Sequence, residues 1–144
     1  MKKRIICVLV ACLMCLSGCS LIKGVMNPTP LSQDEAREEA FNCFAEHKED
    51  MEEIIKSQDA MGETYWCSSY DKGKNGTYSF NLQRTGFTTM TATGVRYDPS
   101  NQPGDNYLQD EENPNGYIYK TGVDRHYLER IEDNWFFFYS VYDL

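Results

Sequence analysis

The side chains best suited to chemistry are two histidines and two cysteines in the polar part of the sequence. Cys43 and His47 are four residues apart, a spacing that puts both on one face of a helix and offers a metal ion two ligands. Zinc needs one or two more, and neither an H-E-x-x-H motif nor paired C-x-x-C motifs supply them. Cys43 and His126 are the residue types of a nucleophile and its base, but no local motif supports such a pair. A cysteine on the apolar stripe of a helix is usually inert. We therefore predict no metal site, no cofactor and no catalytic residue.

Two acidic loops raise the question of calcium. The segment 98–115 is rich in Asp, Asn and Glu but lacks the EF-hand order of acid, glycine and terminal glutamate. The segment 71–76 is similar to the start of such a loop, but Gly73 has no side-chain ligand and Leu82 stands where the glutamate is needed. The sequence therefore favours solvated loops over calcium sites.

The N-terminus has the layout of an export signal. Three basic residues follow Met1, and the next twelve residues, 5–16, are apolar. A helix that spans a bilayer needs about 20 apolar residues, so this segment is too short to be one. A charged start, a short apolar run and small residues at its end are typical of a secretory signal.

The end of the apolar run, Leu16-Ser17-Gly18-Cys19, resembles the lipobox of bacterial lipoprotein precursors. The resemblance implies that the Cys19 thiol carries a diacylglycerol and that the signal is cut just before it. Residues 1–18 would then be removed, 19–31 would be a lipid-anchored tether and 32–144 a single domain. Two acyl chains hold a protein stably, at about 0.8 kcal/mol per buried methylene. We expect the protein on the extracytoplasmic side of the cell membrane or the outer membrane.

The charge of the processed chain limits its partners. Removal of residues 1–18 leaves 11 of the 14 basic residues and all 22 acidic residues, a net charge near −11. Nucleic-acid binding needs clustered Lys and Arg, so we exclude that class of partner. Anionic lipid would also repel this surface, which leaves the membrane contact to the anchor on Cys19. Oligomeric state has no signature in the sequence.

Cys43 and Cys67 are the only cysteines after Cys19. An exported compartment permits a disulfide between them, which would stabilise the fold by about 2–4 kcal/mol. The alternative is two small buried apolar side chains. No C-x-x-C motif is present to indicate a redox role.

The elements that position these residues follow from periodicity. Ser32 and Glu35 form a capping box, and apolar residues then recur every three or four positions, which predicts a helix from 33 to about 59. Alternation then predicts strands at 64–70, 78–82, 88–97, 117–120, 126–132 and 135–142. The sequence thus predicts an α+β fold: an N-terminal amphipathic helix on a five- to six-stranded antiparallel meander sheet. This layout is similar to cystatin-like folds.

Aromatic residues supply the one indication of function in the domain. The last strand has large aromatics on both faces, and one face must be covered by another layer or a partner. The predicted binding surface consists of Trp66, Tyr70, Trp135, Phe137 and Tyr139. We expect a membrane-anchored lipoprotein with a non-catalytic domain for a protein or glycan partner. A small-ligand or ion-binding module is the alternative, and a small envelope enzyme ranks third.

Overall fold

The structure, a computed structural model, describes residues 30–86 and 88–143. The predicted signal at 1–18, the lipid site Cys19 and the tether as far as residue 29 lie outside the described residues. In the two described ranges, no helix is both long enough and apolar enough to cross a membrane.

The helix α1 runs from Gln33 to Ser57 and begins at the predicted capping box. The Ser32 backbone N–H donates to the Glu35 carboxylate at 2.9 Å, and the Glu35 N–H donates to the Ser32 hydroxyl at 3.3 Å. The helix ends at Gln58, which adopts the left-handed conformation with φ 60°. One stripe of the helix is buried and consists of Ala36, Ala40, Phe44 and Met51. The predicted helix is confirmed to within two residues at its C-terminus.

Eight antiparallel strands form one sheet. They are β1 (Met61–Gly62), β2 (Ser69–Lys72), β3 (Tyr78–Thr85), β4 (Thr89–Tyr97), β5 (Leu108–Gln109), β6 (Gly116–Thr121), β7 (Asp124–Glu132) and β8 (Trp135–Asp143). Their order across the sheet is β1-β2-β3-β4-β8-β7-β6-β5. Two four-stranded meanders are therefore joined at a single seam, where β4 pairs with β8 from Thr89 opposite Asp143 to Tyr97 opposite Trp135.

The predicted α+β fold on a five- to six-stranded meander is wrong, because the sheet has eight strands and is not one meander. Two edge strands, β1 and β5, have only two residues each and give no alternation to read. The predicted first strand, 64–70, is mostly a turn, because the Thr64 hydroxyl accepts from the N–H groups of Trp66 and Cys67. The number and the order of the strands both differ from the prediction, so the predicted cystatin-like layout is also wrong.

The helix covers only one face of the sheet. On that face Trp135 and Phe137 of β8 are 3% and 0% exposed, and the Phe44 ring centroid lies 5.1 Å from that of Trp135. Tyr78, Phe80, Val95 and Tyr127 from the neighbouring strands complete the core. Because side chains alternate along each strand, the residues between these point away from α1. We call that surface the open face; it carries Arg84, Arg96, His126, Phe138, Ser140 and Tyr142.

An ion pair fastens α1 to the sheet beside the core. Arg37 donates from Nε and Nη2 to the two carboxylate oxygens of Glu129 on β7, at 2.8 and 2.6 Å. The Tyr127 hydroxyl also donates to Glu129 at 3.2 Å, and the Asn113 amide donates to Tyr127 at 2.9 Å. These bonds join the helix, β7 and the long loop before β6 into one network.

Candidate functional site

A row of residues crosses four strands on the open face. Ala92 pairs with Arg84 on one side and with Ser140 on the other, and Ser140 pairs in turn with His126. Residues opposite each other on neighbouring strands share a face. Ala92 contributes only a methyl group, so the surface is depressed at the centre of the row. A hollow therefore lies between Arg84 and Ser140.

The next row along the strands has an aromatic floor. Gly94 of β4 lies between Asn81 and Phe138. A β-carbon at position 94 would lie 2.0 Å from the Phe80 carbonyl oxygen and 3.0 Å from the Phe138 ring, so only glycine fits. The half-buried Phe138 ring thus approaches the backbone of β4 closely and forms the apolar part of the floor.

A β-bulge in β3 brings Arg84 to this face. The register between β3 and β4 shifts between Asn81 and Gln83. Strict alternation from Phe80, which faces the core, would have placed Arg84 on the helix side. With the bulge, Gln83 faces α1, where its amide donates to Glu39 at 3.1 Å, and Arg84 turns to the open face.

These rows line a groove of about 740 Å³, within the size range of small-molecule sites. Ser140 and His126 are joined by a hydrogen bond of 3.1 Å between Oγ and Nδ1. Arg96 donates to the buried Asp98 carboxylate at 2.7 Å. The Asn81 amide donates to Asp71 at 3.3 Å. The groove therefore combines hydroxyl, amide, guanidinium and carboxylate groups, the last from Glu63 and Asp71, around an apolar centre.

Aromatic side chains wall one end of the groove. His126 stacks with Tyr119 and meets Tyr142 edge-on, with ring centroids 5.6 and 5.1 Å apart. Tyr107 packs on Tyr119 at 5.6 Å, and its burial raises the pKa of its hydroxyl. Tyr107 comes from the acidic segment 98–115, so this loop supplies part of the wall.

A second hollow, of about 1030 Å³, lies on the helix face beside Gln33 and is lined by Tyr127, Tyr139 and Val141. Gln33 is the first residue of α1, so the start of the helix borders this hollow.

The residues of the predicted binding surface lie on the helix side of the sheet. Trp135 and Phe137 are buried in the core, so no partner can reach them. Trp66, Tyr70 and Tyr139 are half-buried and pack against the edge of the same core, and Tyr70 also lines the groove. The structure therefore assigns two of the five aromatics to packing and leaves three that are partly accessible.

Cys43 and Cys67 both pack into the core and are free thiols. Burial, with a smaller contribution from the nearby Cys67, raises the pKa of Cys43 to about 11. Burial also raises the pKa of Cys67, although the Thr64 hydroxyl donates to its sulfur at 3.3 Å. The structure thus brings the two cysteines together, and the disulfide stays a prediction.

The two histidines lie in different environments. His47 leaves helical geometry, with φ −123° and ψ 15°, and its ring stacks on Trp66 with centroids 5.1 Å apart. Among the described residues, no three His, Cys, Asp or Glu side chains are grouped so as to hold a metal ion. His126 lines the groove on the open face, on the opposite side of the sheet from Cys43.

Apart from Tyr70, sequence reasoning missed the residues that line the groove, including Arg84, Phe138 and Ser140. The available signal was the pair of small residues Ala92 and Gly94 in a β-branched strand. Both lie on the same face of β4, which therefore carries no large side chain at these two positions.

Comparison with known proteins finds no matching family model, no matching curated protein and no matching solved structure.

Proposed function

We propose that this chain is a lipid-anchored envelope protein that binds a glycan, without transforming it, in the groove of the open face. The lipobox resemblance at Leu16–Cys19 supports the anchor and the extracytoplasmic location. Residues 20–31, fully extended, reach at most about 40 Å. The groove would therefore be held close to the membrane surface, among the polymers of the envelope.

The observation that carries the glycan proposal is the accessible Phe138 ring within a polar surround. A sugar presents an apolar face of C–H groups and a rim of hydroxyls. An aromatic ring packs against the apolar face, and hydroxyl, amide and guanidinium groups form hydrogen bonds with the sugar hydroxyls. Asn81, Ser140 and Arg84 occupy the positions around Phe138.

The test is binding of glycan chains by the full-length protein purified from membranes in detergent. Phe138→Leu removes the flat ring but retains apolar volume, and it should weaken binding at least about fivefold, since one aromatic contact contributes about 1 kcal/mol. Tyr65→Leu is the matched control, because Tyr65 is 89% exposed and is not among the groove residues. It should leave the dissociation constant unchanged.

Two results would overturn the proposal. One is equal weakening by both substitutions, which would place the ligand elsewhere. The other is binding of a protein partner that persists in Phe138→Leu while no glycan binds the wild type.

A further inference from the structure

Charge is distributed unequally between the two sides of the molecule. Helix α1 carries nine acidic and three basic residues between Gln33 and Ser57, which is more than half of the net charge of the processed chain. The open face, on the other side of the sheet, presents three arginines, Arg84, Arg96 and Arg130. The helix side therefore repels an anionic ligand. On the open face Glu63 and Asp71 also line the groove and Asp98 pairs with Arg96, so an anionic ligand is attracted only next to an arginine that no carboxylate neutralises.

Two of these arginines already have partners. Arg96 is paired with Asp98. Arg130 lies over the Phe136 ring, 4.8 Å from its centroid, and donates to the Asn101 carbonyl oxygen at 3.1 Å. Both guanidinium groups are thus committed to holding the long loop against β7 and β4.

Arg84 differs from them. It is exposed, and its guanidinium makes a weak contact with the Met90 sulfur at 3.9 Å. In residues 30–86 and 88–143, none of the ion pairs involves Arg84. Its position at the end of the row through Ala92 and Ser140 places the guanidinium at the rim of the hollow.

From this placement we infer that the ligand is an acidic glycan whose carboxylate binds Arg84. The inference rests on the proposed function and specifies its ligand class. A planar guanidinium matches a carboxylate with two parallel hydrogen bonds. One uncommitted cation suits a singly charged carboxylate better than a doubly charged phosphate. The negative charge of the helix side does not prevent this, because screening limits its reach to about 8 Å at physiological salt.

The experiment compares two tetrasaccharides that differ only in the acidic group. One is the alternating tetramer of N-acetylglucosamine and N-acetylmuramic acid, which carries lactyl carboxylates. The other is the tetramer of N-acetylglucosamine, which lacks them. We expect the wild-type protein, full-length in detergent, to bind the acidic tetramer at least about tenfold more tightly in calorimetric titration.

Arg84→Gln should abolish that preference while binding of the neutral tetramer persists. Arg125→Gln is the matched control: Arg125 is an exposed arginine on β7 that lines the second hollow on the helix face. It should retain the full preference. The same titration with tetraglutamate tests an acidic peptide as the ligand.

The outcomes distinguish the acidic-ligand inference from the glycan-binding proposal on which it rests. Equal binding of both tetramers overturns the acidic-ligand inference and leaves the glycan proposal standing. Binding of neither tetramer overturns both, as does binding of tetraglutamate alone. A preference that survives in Arg84→Gln overturns the assignment to Arg84, and its loss in Arg125→Gln would place the carboxylate on the helix face instead.

Discussion

Replacing Glu129 with Gln tests the ion pair that holds α1 on the sheet. The Glu129 side chain is 5% exposed and that of Arg37 is 44% exposed, so the carboxylate is shielded from water and the guanidinium is partly hydrated. Glutamine keeps the size and the acceptor for Tyr127 but removes the charge. A hydrogen bond to a charged group contributes about 1.5–3 kcal/mol and a neutral one about 0.5–1.5 kcal/mol. For two bonds, reduced by the hydration of Arg37, we expect a loss of about 2 kcal/mol and a fall in Tm of roughly 8 °C.

The loss should depend on pH in a defined direction. Burial opposes ionisation of Glu129, but the hydrogen bonds and charge of Arg37, with bonds from Asn113 and Tyr127, outweigh it and hold its pKa below the ordinary 4.5. A carboxylate with a lowered folded-state pKa stabilises the fold above its unfolded pKa and loses that contribution as the pH falls through the folded pKa. Glutamine does not titrate. The difference between wild type and Glu129→Gln should therefore be full at pH 7 and shrink below about pH 4.

Urea unfolding, followed by fluorescence of the buried Trp135, measures both effects. Glu132→Gln is the control: Glu132 lies on the same strand and pairs with Lys48 of the same helix, but both side chains are well exposed, at 45% and 37%. An exposed pair contributes at most about 1 kcal/mol. Equal losses for the two variants, or a Glu129→Gln loss that stays constant from pH 7 to pH 3, would refute the reasoning.

Three further predictions concern single positions. Cys19→Ala should abolish lipidation, and the intact mass of the membrane-extracted wild type should correspond to a chain beginning at Cys19 plus acyl groups; an unmodified wild-type mass would disprove the lipobox assignment. If Cys43 is a free thiol in the native protein, its pKa of about 11 should make alkylation by iodoacetamide at pH 8 about 100-fold slower than in the unfolded chain. A mass gain of two hydrogens on reduction would instead establish the bridge to Cys67. Gly94→Ala should lower the unfolding free energy by more than about 3 kcal/mol, since its β-carbon would lie 2.0 Å from the Phe80 oxygen; a stable, unchanged variant would show that β4 can shift.

Local rules predicted the local features of this fold. The capping box of Ser32 and Glu35 depends on residues three apart and was read correctly. The seam between β4 and β8 joins residues more than 30 positions apart, and no local pattern reveals which strand becomes the partner. This is why helix α1 was predicted and the strand order was not.

The open face was missed for two particular reasons. The run Trp135-Phe136-Phe137-Phe138-Tyr139 is aromatic throughout, so alternation cannot tell which side chains face the core. The predicted strand ends at residue 82, but β3 continues to Thr85; the bulge after Asn81 reverses its alternation, so a period of two extended to Arg84 would assign it to the wrong side. The strand pairing of the folded protein determines both points, and the periodicity of a single sequence carries no information about that pairing.

The seam between β4 and β8 also bears on the order in which the chain folds. Residues 135–143 leave the ribosome after every other described strand, yet they form a central strand of the sheet. Until they appear, the two meanders share no strand pairing, and the buried faces of β4 and β7 have no strand between them. A sheet closed by its last-made strand folds slowly and late, because its key contacts are distant in sequence. If the chain is exported by threading, as the lipobox resemblance implies, late closure would keep it in a translocatable state until this strand is made.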